Sequence, residues 1–74
     1  MLKRHRAVEI ASMVRAKRIL ELTLWAQANN INDEDLIALE AQSRYGVLEG
    51  TARSYAKVVI FRLKDRPLIV APTT

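Results

Sequence analysis

The stretch AQSRYGVLEGTARSYAKVV, residues 41–59, holds helix-forming sequence on either side of a Tyr45-Gly46-Val47 break. Gly46 ends the first of these segments, because glycine enters a left-handed corner without steric cost. Val47 is the apolar plug of that corner. The second segment starts near Leu48 or Glu49 and continues to Leu63, since Ala52, Ala56, Val59, Ile60 and Leu63 recur at helical spacing on one face. Gly50, Arg53, Ser54, Lys57, Phe61 and Lys64 fall on the opposite face. The pattern predicts two helices joined by a tight corner, with small residues inside and basic residues outside.

Upstream of the corner, NNINDEDL is punctuation. Asn29 and Asn30 tolerate the left-handed conformation that ends a helix. Asn32 is a suitable N-cap, and Asp33, Glu34 and Asp35 favour the positive end of the next helix dipole. That helix is expected from about Asp33 to Arg44, with Leu36, Ile37, Leu39 and Ala41 as its apolar surface. Ile31, isolated between helices, is placed to bridge a small sheet.

Before this lies a segment from Lys3 to Asn29 without Gly or Pro and rich in Ala, Leu, Glu, Arg and Lys. That composition predicts a helix of about 40 Å, longer than the body of so small a domain. Ala7, Ala11, Val14, Leu22 and Trp25 lie near one meridian, interrupted by Arg18, while Met13, Leu20 and Leu24 lie well to one side. One apolar face serves the core and the second wants another partner; a break near Ala16–Arg18 would also account for the change of face. At the other end, Pro67 stops the last helix, and PLIVAP reads as a short edge strand. Residues 58–63, β-branched and aromatic, could instead pair with 68–71 as a hairpin; the persistent 52/56/59/63 spacing favours helix.

The chain has 74 residues, half of them apolar, and no cysteine. It is one small domain near the lower limit for a self-sufficient core, without disulfide or thiolate-metal support, and dimerisation is a natural source of added stability. No apolar run approaches the roughly 18–20 residues that span a bilayer, and the basic start MLKRHRAVEI lacks the apolar run of a leader. A cytoplasmic location follows as an expectation. The net charge is +4, with six Lys/Arg against two acids in residues 1–28, four acids and no base in 29–43, and six against two in 44–74. Such a basic–acidic–basic layout suggests a directed positive face, of the kind that meets phosphate or acidic lipid, although plain solubility also explains it. Catalysis finds little support: His5 has no partner in the pattern, helix capping accounts for Asp33-Glu34-Asp35, and no phosphate loop or nucleophile–base pair is visible. No enzyme activity, metal or cofactor is expected.

The quoted stretch resembles a helix-turn-helix, with a small residue in its first helix, a glycine–apolar corner and a Thr-Ala start to its second. With the preceding helix, Ile31 and the terminal strand, residues 15–71 resemble a minimal winged helix, similar to small archaeal transcription regulators, including those carried by plasmids and viruses. The resemblance implies a mainly all-α fold with a helix-turn-helix at 33–63 and a short wing or tail at 64–74; the long helix at 1–29, which has more apolar surface than a small core can cover, is expected to form a homodimer. The resemblance also implies that the helix from 49 to 63 enters the major groove of duplex DNA. Gly50, Arg53, Ser54 and Lys57 would then meet base edges and flanking phosphates, with Arg53 reading guanine and Lys57 holding phosphate. Thr51 and Tyr55 would offer hydroxyls to phosphate, Arg44, Tyr45 and Lys64 would hold the backbone to either side, and Arg66 would reach out from the wing. Leu48 stands where the pattern has a capping Ser, Thr or Asp, and Glu49 puts an acid towards the groove, where it can accept from a cytosine amino group. The KRHR at residues 3–6 can act as a minor-groove arm or serve solubility alone. A basic amphipathic helix at Lys3–Arg18 could lie on anionic membrane, but its charges are mixed around the helix. Double-stranded DNA and a second copy of the chain are the expected partners, with no membrane. A protein–protein module that uses the same fold against an acidic partner is the rival. An RNA-binding domain is a weaker one, lacking paired stacking aromatics.

Overall fold

The computed structural model describes the backbone of residues 2–65 and the side chains of 9–64. The fold is all-α: α1 spans Leu2–Ala28, α2 Glu34–Tyr45 and α3 Glu49–Asp65. Among the described residues there is no strand. The expected terminal strand, the wing beyond Asp65 and Arg66 lie outside the described residues. Residues 58–63 continue α3 without interruption, so the hairpin alternative does not hold.

The first corner is tighter than its sequence suggests. Asn30 takes the left-handed conformation at φ 55°. The Ile31 N–H donates to the Ala26 carbonyl at 2.8 Å and the Asn30 N–H to Gln27 at 3.3 Å. These two bonds satisfy carbonyls that the end of α1 would otherwise leave unpaired. Ile31 therefore does not bridge a sheet: its N–H is consumed by the cap and its side chain packs against the core. Asp33, not Asn32, caps α2, accepting from the Asp35 N–H at 2.8 Å. A carboxylate there gains from the helix dipole as well as from the hydrogen bond.

At the second corner Gly46 sits at φ 64°, ψ 27° and its N–H donates to the Gln42 carbonyl. Val47 packs against the core as expected. Leu48 is 80% exposed and opens α3 with its carbonyl, which accepts from the Ala52 N–H at 2.9 Å.

The three helices share one core built from Ile19, Leu22 and Ala26 of α1, Ile37, Ala38 and Ala41 of α2, and Ala52, Tyr55, Ala56 and Val59 of α3. The alanines let the helix axes approach closely, and α3 packs against both of its neighbours. Buried Thr23 is satisfied, donating from Oγ1 to the Ile19 carbonyl at 2.7 Å. Two expected faces are corrected. Leu36 and Leu39 are exposed, because α2 turns Ile37, Ala38 and Ala41 towards its neighbours. In α1, Ile19 and Ala26 join Leu22 in the core with Trp25 half-buried beside them, while Ala11 and Val14 are exposed. The helix does not break at 16–18. It overshoots a body that begins at Ile19, which gives the molecule its 48 × 28 × 15 Å outline.

Candidate nucleic-acid interface

The outward side of α3 carries Gly50, Ser54, Lys57, Phe61 and Lys64, all exposed, with Thr51 and Arg62 exposed at its flank. Spacings of 4, 3, 4 and 3 hold the first five on one side of a helix with about 3.6 residues per turn. Gly50 leaves open space where a side chain would stand. Among the described residues the ion pairs belong to Arg44 and Arg53 alone, so Lys57, Arg62 and Lys64 enter none.

Arg53 is differently placed. Its Nη1 lies 3.0 Å from Asp35 Oδ1 and 3.6 Å from Glu34 Oε2, and its Nε lies 3.3 Å from Glu49 Oε2. Three carboxylates from the first turns of α2 and α3 thus converge on one guanidinium. The hydrogen bond to Asp35, and then that to Glu49, holds the Arg53 pKa above its ordinary value. The residue expected to read a base is a clasp between the N-terminal ends of two helices. Among the described residues no group of three potential ligands has the geometry of a metal site.

The aromatic hydroxyls turn inward. Tyr55 is only 5% exposed, and its hydroxyl accepts from Arg18 Nη1 at 3.2 Å. Its ring meets Tyr45 edge-on at 6.4 Å. The Tyr45 hydroxyl donates to Glu21 Oε1 at 2.7 Å, and the Arg18 guanidinium lies 4.9 Å from the Tyr45 ring centroid. Burial pushes the Tyr45 phenol above its ordinary pKa, and the bond given to Glu21 acts in the same sense. Arg44 pairs with Glu40 at 3.0 Å and stands 6.0 Å from the Trp25 ring centroid.

The structure therefore brings Gly50, Ser54, Lys57 and Lys64 together on one face. It sets Arg53 and Glu49 in the acidic clasp at the edge of that face, and Tyr55 in the core. Arg44 and Tyr45 sit at the far end of α2, each committed to a carboxylate. Two residues that sequence reasoning passed over join the site from α1. Arg15 Nη2 donates to Ser54 Oγ at 3.4 Å, with its guanidinium 5.9 Å from the Tyr55 ring centroid, and Arg18 binds both tyrosines. Their spacing of three along a helix put them on one side, but only the fold shows which helix that side meets. Comparison with family models, curated proteins and solved structures finds no match for this chain.

Proposed function

We propose that the chain is a duplex-DNA-binding transcription regulator in which α2, the Gly46 corner and α3 act as a helix-turn-helix. In this reading residues 66–74 supply a minimal wing with Arg66, and the protein works in the cytoplasm; among the described residues no helix is long and apolar enough to cross a membrane. One observation carries the proposal. The outward face of α3 presents Lys57 and Lys64 outside any ion pair among the described residues, with the small Gly50 and Ser54 towards its N-terminal end. Arg15, drawn to Ser54, extends the positive charge beyond α3.

The acidic clasp reshapes the contact plan. A recognition helix usually meets base edges with its N-terminal residues. Here Arg53 reaches a base only by leaving carboxylates, and Glu34, Asp35 and Glu49 repel phosphate at that end. Lys57, Lys64 and Arg15 then supply phosphate contacts, and Ser54 and Gly50 sit where α3 approaches most closely. Such binding is driven by counterion release and weakens steeply with salt.

Fluorescence anisotropy with a labelled random-sequence duplex at about 50, 100 and 200 mM salt tests this. Affinity is expected to fall steeply across the series, and Lys57→Ala to flatten the log–log slope by about one unit. Undetectable binding at the lowest salt would remove the proposal. The second reading, a module for an acidic protein partner, draws support from Phe61, 67% exposed amid the basic face. It predicts duplex binding too weak to register in the same titration.

A further inference from the structure

The side of α1 facing away from the core carries its own pattern. Ile10, Met13, Lys17, Leu20 and Leu24 recur at spacings of 3, 4, 3 and 4 residues. That is the a/d repeat of a coiled-coil seam, with lysine at one a position. Ile10 is 54% exposed, Met13 68%, Leu20 50% and Leu24 56%, and Lys17 is exposed among them. On a helix advancing about 100° per residue, the five fit within a sector of about 80°, on the far side from Ile19, Leu22 and Ala26. Nothing in the three-helix body can reach this side, since α2 and α3 pack on the other.

We infer that α1 pairs with α1 of a second copy of this chain as an antiparallel two-helix coil closed along Ile10, Met13, Lys17, Leu20 and Leu24. A second copy fits because the centre of the seam is self-complementary: two-fold symmetry lays Met13 on Leu24 and Lys17 on Leu20, with Ile10 closing each end opposite Gln27. Four apolar side chains, half or more exposed, on each of two chains bring the buried surface to the order of 1,000 Å², the lower bound of a specific interface. Lys17 fixes the direction. In a parallel pair equivalent positions face one another. Lys17 would then meet its own copy, with Val14 and Ala16 alongside and no carboxylate in the layer. In the antiparallel pair Met13 lies against Leu24 of the second copy and Lys17 against its Leu20. The adjoining Glu21 of that copy then stands beside the ammonium. Like charges are separated and opposite charges brought together. The pair leaves the outward face of α3 open, so it stands whether or not that face binds DNA.

Sedimentation of the full chain at micromolar concentration, without nucleic acid, is the first test. A mass twice 8.4 kDa is expected. A double variant, Met13→Glu with Leu20→Glu, is expected to sediment as a monomer with unchanged helix content, because both side chains are exposed in the single chain. A monomeric parent chain overturns the inference. Direction is read by cross-linking, made clean by the absence of cysteine from the sequence. Mixed Met13→Cys and Leu24→Cys chains are expected to oxidise to the mixed dimer in preference to either self-linked one. Preferential self-linking of Met13→Cys would show a parallel pair and overturn the arrangement.

Discussion

The two ends of α3 meet solvent with opposite electrical character. At the first turn a single cation, Arg53, is surrounded by Glu34, Asp35 and Glu49. Further along, Lys57, Arg62 and Lys64 are exposed and enter no ion pair among the described residues. The difference separates two groups of cations that the sequence sets on one basic helix. The first end is engaged within the fold, its cation bridging the first turns of α2 and α3. The second leaves its cations outside any ion pair among the described residues. Counting the arginines and lysines of a helix does not measure what it can bind; their prior engagements decide.

The comparison breaks most visibly if the free end is reversed. Lys57→Glu combined with Lys64→Glu is expected to lower duplex affinity about a hundredfold at about 100 mM salt, since two phosphate contacts become repulsions. Anisotropy reads this directly, and an unchanged affinity would move the interface off α3. Opening the clasped end works the other way. Asp35→Asn with Glu49→Gln removes two of the three carboxylates held against Arg53, leaving Glu34, and is expected to tighten binding by about tenfold, with a steeper salt slope. Arg53→Ala should then matter least for binding in the parent chain, because its guanidinium is already occupied. It should instead lower the urea midpoint modestly, as exposed ion pairs do. A loss of affinity as large as that of Lys57→Ala would show that Arg53 leaves the clasp to touch DNA.

One further measurement leaves both ends of α3 untouched. The Tyr45 phenol is raised above its ordinary value near 10 by burial and by its bond to Glu21. Its contribution to stability is therefore complete below about pH 10 and lost as pH rises through the higher folded value. Denaturant midpoints of the parent chain should fall above pH 10, and those of Tyr45→Phe should fall less over the same interval.

The backbone was largely legible because its signals are local. The left-handed Asn30 and Gly46 and the run of α3 to its C-terminal turn each follow from a residue and its immediate neighbours. The faces were harder. With apolar residues at 36, 37, 38, 39 and 41, α2 has no single apolar side. Which residues are buried depends on how α3 lies across it, and Leu36 and Leu39 lose to Ile37, Ala38 and Ala41. The α1 meridian failed for two reasons: Ala11 points to the core side but lies beyond the end of the body, and Val14 lies about 80–140° round the helix from Ile19, Leu22 and Ala26. Within the site, the Glu49–Arg53 pair is four residues apart and could be read from spacing. Asp35 and Arg53, separated by 18 positions, meet only through the fold. The same holds for Arg15 with Ser54, whose contact crosses 39 positions.

The buried alanines have a consequence for how this sequence can change over generations. Among the described residues, five of the ten buried apolar side chains are alanine: Ala26, Ala38, Ala41, Ala52 and Ala56. A larger side chain at any of them must push helix axes apart, and overpacking of this kind costs about 1–3 kcal/mol. A smaller one leaves only glycine, which weakens a helix interior by about 1 kcal/mol. These positions are closed in both directions. Exposed positions such as Leu36, Leu39 and Leu48 can drift with little loss of fold. Divergent descendants would keep a sparse alanine signature across three helices and little else, a trace that few sequence comparisons would notice.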